Sequence, residues 1–295
     1  MSISNTFGYI SKHPWTKTAR LSAFGRLFHW QLIRRFHTSG IIFDWIDGTR
    51  LIVLPGETGV TGNVYCGLHE FTHMAYVLQV CTSDDFFVDV GANVGSYTVL
   101  ACGARQAKGL CFEPAPGTYQ RLRANLGLND LFATVTALQQ GVGDANGTAR
   151  FTTGLGSVNH IVGNSDQRTD TIDVPVTTLD HALRDEAPTI IKIDVEGYEE
   201  KVLASAAETL ARPELHSIIA EINGSLRYGD NAEPVLEQLR LHGFEPCRYD
   251  PFTRRLTLLD SVDGESGNTL FIKNQDLVRR RLATAKPITW RGLSL

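Results

Sequence analysis

The stretch 86–98 constrains the fold of this chain more than any other part of the sequence. An apolar run, Phe86–Val90, is long enough for one buried strand, and helical character begins again at Ser96. Between them, Gly91 and Gly95 bracket a tight turn. Glycine lets the backbone take positive φ and approach a ligand closely, while the first turn of a helix offers N–H groups for binding. The stretch therefore predicts the strand, ligand-binding loop and helix of an open α/β sheet.

This turn differs from two well-known phosphate-binding loops. No Lys-Ser or Lys-Thr pair follows its second glycine, which excludes a P-loop. Asn93 stands where the dinucleotide fingerprint has its middle glycine, which disfavours a nicotinamide cofactor. We favour a nucleotide-type ligand. The alternative is an ordinary βαβ turn that contains two glycines.

A second predicted strand ends in an acidic residue. The segment Lys108–Pro114 contains an apolar run followed by Glu113, which lies 22 positions after Gly91. An acid about 20 residues beyond a glycine loop can accept hydrogen bonds from two ribose hydroxyls. The spacing therefore favours an adenosine-type ligand.

Two further strands bring ionisable residues towards the same edge of the sheet. Along the predicted strand 190–195, Lys192, Asp194 and Glu196 alternate with apolar residues and so share one face. Glu221 lies near the end of the next predicted strand. Buried ionisable groups are costly unless they pair or face a cavity. We expect a carboxylate cluster at the ligand edge, and the alternative is an exposed edge strand.

These motifs resemble those of the FkbM-type methyltransferases, a branch of the class I S-adenosylmethionine-dependent methyltransferases. They occur in the same order and at similar spacing, over roughly residues 64–285. The segments that carry the resemblance are Phe87–Thr98, Phe112–Pro114, Thr178–Asp180, Ile191–Glu199 and Asn268–Ile272. The resemblance implies a Rossmann-like α/β sheet, mostly parallel with an antiparallel closing strand, helices on both faces and an N-terminal extension of helix and β-hairpin.

The resemblance also implies S-adenosyl-L-methionine as the cofactor. The acceptor that it implies is a hydroxyl of a sugar, a glycolipid or a secondary metabolite. The glycine loop would hold the methionine end of the cofactor, and the turn at 141–142 would flank its adenine ring. The predicted cofactor-binding residues are Glu70, Asp89, Gly91, Ala92, Asn93, Gly95, Ser96, Glu113, Pro114, Gly141 and Val142.

Methylation of a hydroxyl requires a group that removes its proton. A carboxylate or a histidine within hydrogen-bond reach of the acceptor can do this. The predicted catalytic residues are Lys192, Asp194, Glu196 and Glu221. Lys192 would pair with one carboxylate and hold it ionised, and the sequence does not distinguish the roles of the three acids. Ser157, Asn159 and His160, in a long polar loop, are weaker candidates for acceptor contacts.

Two other functional hypotheses remain open at this level. The segment His69–His73 matches the H-E-x-x-H pattern of zinc hydrolases, but no third ligand stands at an obvious spacing, and the family resemblance assigns Glu70 to the helix ahead of the glycine loop. We therefore predict no metal ligand, and leave open whether a divalent metal assists the reaction. The other hypothesis is a non-catalytic cofactor-binding module that docks on a membrane or an enzyme partner.

The N-terminal segment is basic. Residues 1–43 contain six Lys or Arg and no Asp or Glu, whereas the whole chain has a net charge of −4. Because the remainder is acidic, we expect no nucleic-acid partner. Residues 1–19 are expected to have little fixed structure. The segment 20–36 predicts an amphipathic helix, packed on the domain through its apolar residues or resting on an anionic membrane surface.

The remaining expectations concern organisation and compartment. We expect an N-terminal extension over 1–63, a methyltransferase domain over 64–285 and a C-terminal tail over 286–295. No apolar run approaches the ~18 residues of a membrane span, and no secretory signal is recognisable. The five cysteines form no C-x-x-C pair, which suits a reducing compartment. We expect a cytoplasmic protein, peripheral to a membrane if the basic helix binds one, and the oligomeric state is left open.

Overall fold

A computed structural model describes residues 3–36, 39–55, 57–154, 159–162, 170–222 and 232–295. The helices are α1 Ile3–Lys12, α2 Arg20–Ile33, α3 Thr58–Cys66, α4 Phe71–Val80, α5 Ser96–Thr98 with a π-helical continuation over Val99–Ala104, α6 Pro116–Leu128, α7 Leu179–Ala182, α8 Glu199–Ala204, α9 Ala207–Ala211, α10 Glu233–Leu241 and α11 Gln275–Thr284. Within these ranges, no helix has both the length and the apolar character needed to cross a bilayer.

The strands form one large sheet and three small ones. They are β1 Ile41–Asp44, β2 Arg50–Val53, β3 Phe86–Val90, β4 Lys108–Phe112, β5 Val135–Leu138, β6 Gly141–Val142, β7 Gly147–Thr152, β8 Thr171–Thr177, β9 Ile190–Ile193, β10 Ser217–Ala220, β11 Glu245–Asp250, β12 Arg255–Leu258, β13 Thr269–Ile272, β14 Thr289–Trp290 and β15 Leu293–Ser294.

The large sheet has eight strands in the order β12-β11-β13-β10-β9-β3-β4-β5. Strands β10, β9, β3, β4 and β5 are parallel, and β13, β11 and β12 add to them in antiparallel fashion. This confirms the predicted fold class. The chain runs from β3 outward to β5 and returns to β9 on the other side of β3. The strand order therefore reverses between β3 and β9, which is where ligands bind in open α/β sheets.

The N-terminal extension packs against the sheet domain. Ile10, Trp15 and Trp30 are fully buried and belong to one apolar cluster with Phe87 of β3. The C-terminal hairpin joins this cluster through Trp290, whose ring centroid lies 6.0 Å from that of Trp15. Both ends of the chain thus contribute to the core of the domain.

Two helices of the extension were not predicted from the sequence. Within the described part of residues 1–19, α1 and a 3-10 turn over Pro14–Thr16 replace the expected irregular chain, because Ile10 and Trp15 bury their side chains. Helix α3, which the sequence did not indicate, buries Val60 and Val64. In both places tertiary packing outweighs weak local helix propensity.

Helix α2 does not pack on the domain mainly through its large apolar residues, which was one of the two alternatives. It buries Ala23, Arg26, Leu27 and Trp30, so its buried face includes a charged residue. Its guanidinium donates a hydrogen bond of 2.9 Å to the carbonyl oxygen of Tyr65 and lies over the ring of Trp290. These contacts turn most of the predicted apolar stripe of α2 towards solvent.

Candidate functional site

A cavity of about 670 Å³ opens at the carboxyl ends of β3, β4, β9 and β10. Its volume is typical of a small-molecule site. Of the predicted cofactor-binding and catalytic residues, all except Gly95 line it. The lining residues that were predicted are Glu70, Asp89, Gly91, Ala92, Asn93, Ser96, Glu113, Pro114, Gly141, Val142, Lys192, Asp194, Glu196 and Glu221. The topology therefore brings residues from six separate segments to one place.

The glycine loop follows β3 and is held against the neighbouring strands. The N–H groups of Gly91 and Ala92 both donate to the carbonyl oxygen of Phe112, at 3.1 and 2.9 Å. Gly91 has a φ of +81°, and a Cβ there would overlap the carbonyl oxygen of Asp194. Only glycine fits at this position, because it takes positive φ readily and lets the two strand ends approach.

Asp89, on β3, holds the helix that follows the glycine loop through hydrogen bonds to Thr98. Its side chain is buried, and its Oδ2 atom accepts hydrogen bonds from the N–H and the hydroxyl of Thr98, at 3.1 and 2.6 Å. Burial raises the pKa of Asp89 to about 6, although the charge of Lys192 acts in the opposite direction. Asp89 therefore fixes the start of α5 relative to β3.

Glu113 lies at the end of β4 and faces the loop. Its two carboxylate oxygens accept hydrogen bonds from the N–H groups of Asn93 and Ala115, at 3.0 and 2.9 Å. Asn93 takes a φ of +52°, which aims its N–H at this carboxylate. Burial raises the pKa of Glu113 to about 7 despite these two donors. Further donors from a ligand would stabilise the ionised form.

The predicted carboxylate cluster forms beyond β9 and β10. Lys192 is buried, and its Nζ donates to Asp194 Oδ2 at 2.6 Å while it lies 4.7 Å from the ring centre of Tyr97. Carboxylate oxygens of Asp194, Glu196 and Glu221 all lie within 4.8 Å of one another. The exposed-edge alternative for β9 is wrong, because this strand is buried between β3 and β10.

The acids of this cluster differ in protonation. Although burial opposes ionisation of Asp194, the neighbouring Lys192 and a hydrogen bond from Glu221 hold its pKa below the ordinary value. Burial and the charge of Asp194 raise the pKa of Glu221 to about 9. The pKa of Lys192 is raised, since the charges of Asp194 and its acidic neighbours outweigh the effect of burial. At neutral pH, Asp194 is therefore ionised and Glu221 carries a proton.

Glu199 organises the turn that carries Glu196, and it was not among the predicted site residues. It is fully buried, and its Oε1 atom accepts hydrogen bonds from the N–H groups of Val195 and Gly197, both at 3.1 Å. Glu196 itself has a φ of +57°. The available signal was an acid at the first position of α8, where a carboxylate often caps backbone N–H groups.

Glu70 connects the helix before the loop to the closing strand. Its Oε2 atom accepts hydrogen bonds from the hydroxyl of Tyr97 at 2.8 Å and from the side-chain amide of Asn268 at 2.7 Å. Tyr97 and Asn268 were not predicted as site residues. Both lie inside segments that carry the family resemblance, which was the only signal for them.

The H-E-x-x-H segment does not have the geometry of a helical zinc motif. Helix α4 begins only at Phe71, so His69 precedes it. The hydroxyl of Tyr9 lies 2.9 Å from both Nδ1 and the carbonyl oxygen of His69. His73 is buried within the helix, and burial lowers its pKa to about 4. The two imidazoles therefore do not present the shared helix face that the zinc hypothesis requires.

Part of the cavity wall comes from the small sheet of β6, β7 and β8. Gly141 and Val142 form β6, and Phe151 and Ile161 line the cavity beside them. Asn159 also lines the cavity, and its side-chain oxygen accepts a hydrogen bond of 3.2 Å from Thr152. His160 is buried. Ser157 lies outside the residues that the structure describes.

A second cavity, of about 170 Å³, adjoins the first. Glu57 and His69 line both cavities, and Tyr9, Gln31 and Arg34 of the N-terminal extension line the smaller one. The extension therefore borders the site directly. A ligand in the large cavity has a polar space next to it that the first two helices help to shape.

Comparison with known proteins identifies the family. The sequence profile described as "Methyltransferase FkbM domain" matches residues 89–246, which is more than half of the chain. "Methyltransferase sdnD" of Sordaria araneosa is 42% identical over 83 residues, covering 28% of this chain and 32% of that protein. "Hexuronic acid methyltransferase AglP" of Haloferax volcanii is 28% identical over 163 residues, covering 51% of this chain and 61% of that protein. In both relatives the match covers less than two thirds of the length.

The similarity to solved structures is more distant. The crystal structure of P. horikoshii TYW2 in complex with MeSAdo matches with a TM-score of 0.42 and 13% identity, covering 81% of this chain and 73% of that chain. The profile match spans the glycine loop, the acid at the end of β4 and the carboxylate cluster, and it confirms the resemblance noted from the sequence. This chain belongs to the FkbM methyltransferase family.

Proposed function

We propose that this chain is an S-adenosylmethionine-dependent O-methyltransferase that acts on a hydroxyl of a sugar, a glycolipid or a secondary metabolite. One observation carries the proposal: an ionised Asp194, held by Lys192, shares a cavity with the glycine loop and Glu113. Family membership supports the methyltransferase class. One relative is named a hexuronic acid methyltransferase, which supports a sugar hydroxyl as the acceptor.

The residues around the glycine loop fit an adenosine-containing cofactor. Glu113 accepts only two backbone hydrogen bonds among the described residues, so its carboxylate has further lone pairs for two ribose hydroxyls. Gly91 lets the glycine loop lie directly against the end of β9, and Val142 offers an apolar wall for a ring. Glu70 and Ser96 line the same cavity and would face the methionine moiety.

The carboxylate cluster would then handle the proton of the acceptor. S-adenosylmethionine, when bound, supplies a methyl group attached to a positively charged sulfur. The acceptor hydroxyl becomes a better nucleophile as its proton passes to a carboxylate within hydrogen-bond reach. Asp194, whose pKa is held low, is our candidate for this base. Lys192 positions it through their 2.6 Å hydrogen bond, and protonated Glu221 donates a hydrogen bond to it.

The cysteines bear on the compartment in which the reaction would occur, and the smaller cavity bears on where the acceptor would bind. All five cysteines are buried free thiols, which supports our proposal of a cytoplasmic protein. The polar space beside His69 and Gln31 lies next to the main cavity and is available for part of the acceptor.

The test is a calorimetric titration of the purified protein with S-adenosylhomocysteine, the product that the cofactor leaves behind. We expect saturable binding to the wild type, and loss of at least about tenfold in affinity in Glu113→Ala, because two charge-assisted hydrogen bonds to the ribose disappear. Glu186→Ala, which removes an exposed glutamate elsewhere, should bind like the wild type. ATP serves as a comparison, since it shares adenosine but lacks the methionine end.

Three results would contradict the proposal. A folded wild type that does not bind S-adenosylhomocysteine would exclude the proposed cofactor. Equal affinity in Glu113→Ala and Glu186→Ala would remove Glu113 from the site. Binding without formation of S-adenosylhomocysteine from S-adenosylmethionine, across a panel of uronic acids, hexoses and polyols, would favour the non-catalytic module instead.

A further inference from the structure

Helix α2 turns large apolar side chains to solvent. Leu21, Phe28 and Leu32 are 89%, 60% and 55% exposed, and Phe36, just after the helix, is 78% exposed. Phe28 and Leu32 lie 7 and 11 positions after Leu21. At about 3.6 residues per turn these spacings are close to two and three full turns, so the three side chains lie along one line of the helix surface. We call Leu21, Phe28, Leu32 and Phe36 the exposed stripe.

The exposed stripe is not needed to hold α2 on the domain. The opposite face of the helix already packs into the core through Leu27 and Trp30. Beside the stripe, Phe7 of α1 stacks on Phe24 with ring centroids 4.9 Å apart and meets the edge of Phe28 at 5.9 Å. These aromatic contacts fix Phe28 in place and widen the apolar ridge. A contiguous exposed apolar ridge of this kind marks an interaction surface.

The charges around the exposed stripe indicate what covers it. Within residues 1–43 there is no Asp or Glu. Arg26 is buried, and the exposed basic residues of this segment are Lys12, Lys17, Arg20, Arg34 and Arg35. A second copy of the chain would bring these like charges together, which is unfavourable. An apolar stripe among cations is instead the arrangement of a helix that lies in the interface of an anionic membrane.

We propose that α2 docks this protein on the surface of an anionic lipid bilayer, with the exposed stripe inserted among the acyl chains and the basic residues against the headgroups. This inference is independent of the proposed enzymatic function, because it concerns residues that do not line the main cavity. It also gives the N-terminal extension a role next to the site. Arg34 and Gln31 of the same helix region line the smaller cavity, so docking would bring that space near the headgroups.

The test is sedimentation of the full chain with vesicles. We expect binding to phosphatidylcholine vesicles that contain about 30 mol% phosphatidylglycerol, weaker binding at high salt, and little binding to phosphatidylcholine alone. The variant Leu21→Ser/Phe28→Ser/Leu32→Ser should lose at least about tenfold in partitioning, since its apolar contacts with the acyl chains are removed. Lys17→Gln/Arg20→Gln/Arg35→Gln should show a similar loss.

The control is Leu241→Ser/Leu258→Ser, which removes two exposed leucines from α10 and β12. This variant should bind vesicles like the wild type. Circular dichroism and thermal unfolding check that every variant is folded. Absence of wild-type binding, equal binding to neutral and anionic vesicles, or equal loss in the control would each overturn the proposal. A wild-type dimer that the stripe variant converts to a monomer, without vesicle binding, would assign the stripe to a second copy.

Discussion

Burial controls the charges of the individual residues in the cavity. It raises the pKa of Asp89 to about 6, of Glu113 to about 7 and of Glu221 to about 9. Asp194 departs from this pattern because Lys192 lies 2.6 Å from it and keeps its pKa low. The cavity therefore contains Asp194, whose pKa is held low, beside three acids whose pKa values are raised by burial. This difference suggests separate roles for residues that sequence alone could not rank.

Affinity for S-adenosylhomocysteine should rise with pH around neutrality. Glu113 has a pKa of about 7 in the free protein, and only its ionised form accepts hydrogen bonds from both ribose hydroxyls. Binding therefore favours ionisation, and affinity should weaken by up to about tenfold per pH unit as pH falls below that pKa. Titration from about pH 6 to about pH 8 measures this effect.

Glu113→Gln is the control for this pH dependence. Glutamine keeps an acceptor oxygen but does not titrate, so the variant should bind more weakly with a flatter pH profile. The charges of the neighbouring acids Asp89 and Asp194 also raise the pKa of Glu113, and both acids remain in the variant. An unchanged pH dependence in Glu113→Gln would assign the titration to another buried acid, such as Asp89 with its raised pKa.

Replacing Lys192 by methionine should alter both Asp194 and stability. Without the ammonium group, we expect the pKa of the Asp194 carboxyl, followed by ¹³C NMR, to rise above its ordinary value of about 4. The variant leaves a buried acid without its partner, so the free energy of unfolding should fall by about 3 kcal/mol. Denaturant titration measures this change.

A surface ion pair supplies the matched control. Lys201 pairs with Asp144 at 3.0 Å, but both side chains are about half exposed. Lys201→Met should change the free energy of unfolding by less than about 1 kcal/mol. If the two lysine variants are equally stable, the Lys192–Asp194 pair does not contribute as its burial indicates.

At the scale of elements, the sequence predicted most accurately those strands and turns whose functional residues lie within a contiguous, recognisable pattern. The unit of β3, glycine loop and α5 was predicted because its apolar run and glycines are contiguous. Thr178, in a segment that carries the family resemblance, caps α7 and accepts a hydrogen bond from the N–H of His181. The carboxylate cluster followed from alternation along β9 and from the way parallel strands share an edge.

The elements that were missed depend on contacts between distant parts of the chain. Helix α1 forms where Ile10 packs into the core, and no local pattern indicated that packing. Glu70 meets Tyr97 and Asn268, which are 27 and 198 positions away. Side-chain partners at such separations are set by the tertiary fold, so periodicity cannot predict them.

The loop after β3 should tolerate no side chain at its first glycine. Gly91 and Gly48 both have a φ of +81°, but a Cβ at Gly48 meets no atom within 4 Å, whereas one at Gly91 overlaps the backbone of Asp194. Gly48→Ala should cost about 1 kcal/mol, from backbone strain alone. Gly91→Ala should cost at least about 3 kcal/mol, because the ends of β3 and β9 must separate.

Urea unfolding of the two glycine variants measures these costs. S-adenosylhomocysteine titration provides a second measurement, in which Gly91→Ala should lose binding and Gly48→Ala should retain it. Equal destabilisation of the two variants would mean that the loop can move away from β9 and is not fixed as the structure indicates.

At the scale of the whole molecule, one end of the sheet is open to a ligand cavity and the other end is closed by buried side chains. The carboxyl ends of the strands open into the cavity, whereas the opposite end is closed by a buried polar network. In that network, Asp85 accepts hydrogen bonds from Arg281 of α11 and from Thr82, and His216 lies between Arg281 and Ser217. His216 and Ser217 are fully buried, so this Ser–His–Asp grouping ties the last long helix to the sheet and does not face a substrate.

Asp85→Asn should therefore destabilise the whole domain at neutral pH. Although burial opposes it, the neighbouring His216 and the charge of Arg281, together with a hydrogen bond from the N–H of Thr82, hold the pKa of Asp85 well below its ordinary value. A carboxylate with a depressed pKa contributes stability above its unfolded-state pKa of about 3.9 and loses it as pH falls towards the folded-state pKa. We expect the variant to lose about 3 kcal/mol at pH 7, and the difference from the wild type to narrow below about pH 4.

Asp185→Asn is the matched control, because Asp185 pairs with Arg184 at 3.0 Å but both side chains are exposed. Denaturant unfolding at neutral and acidic pH should show almost no effect of this substitution. Loss of stability in Asp85→Asn that persists unchanged at acidic pH would mean that packing, and not the charge of Asp85, secures α11. A loss that narrows with acidity would establish that ionisation of one buried carboxylate holds the closed end of the sheet, while the open end stays free for its ligand.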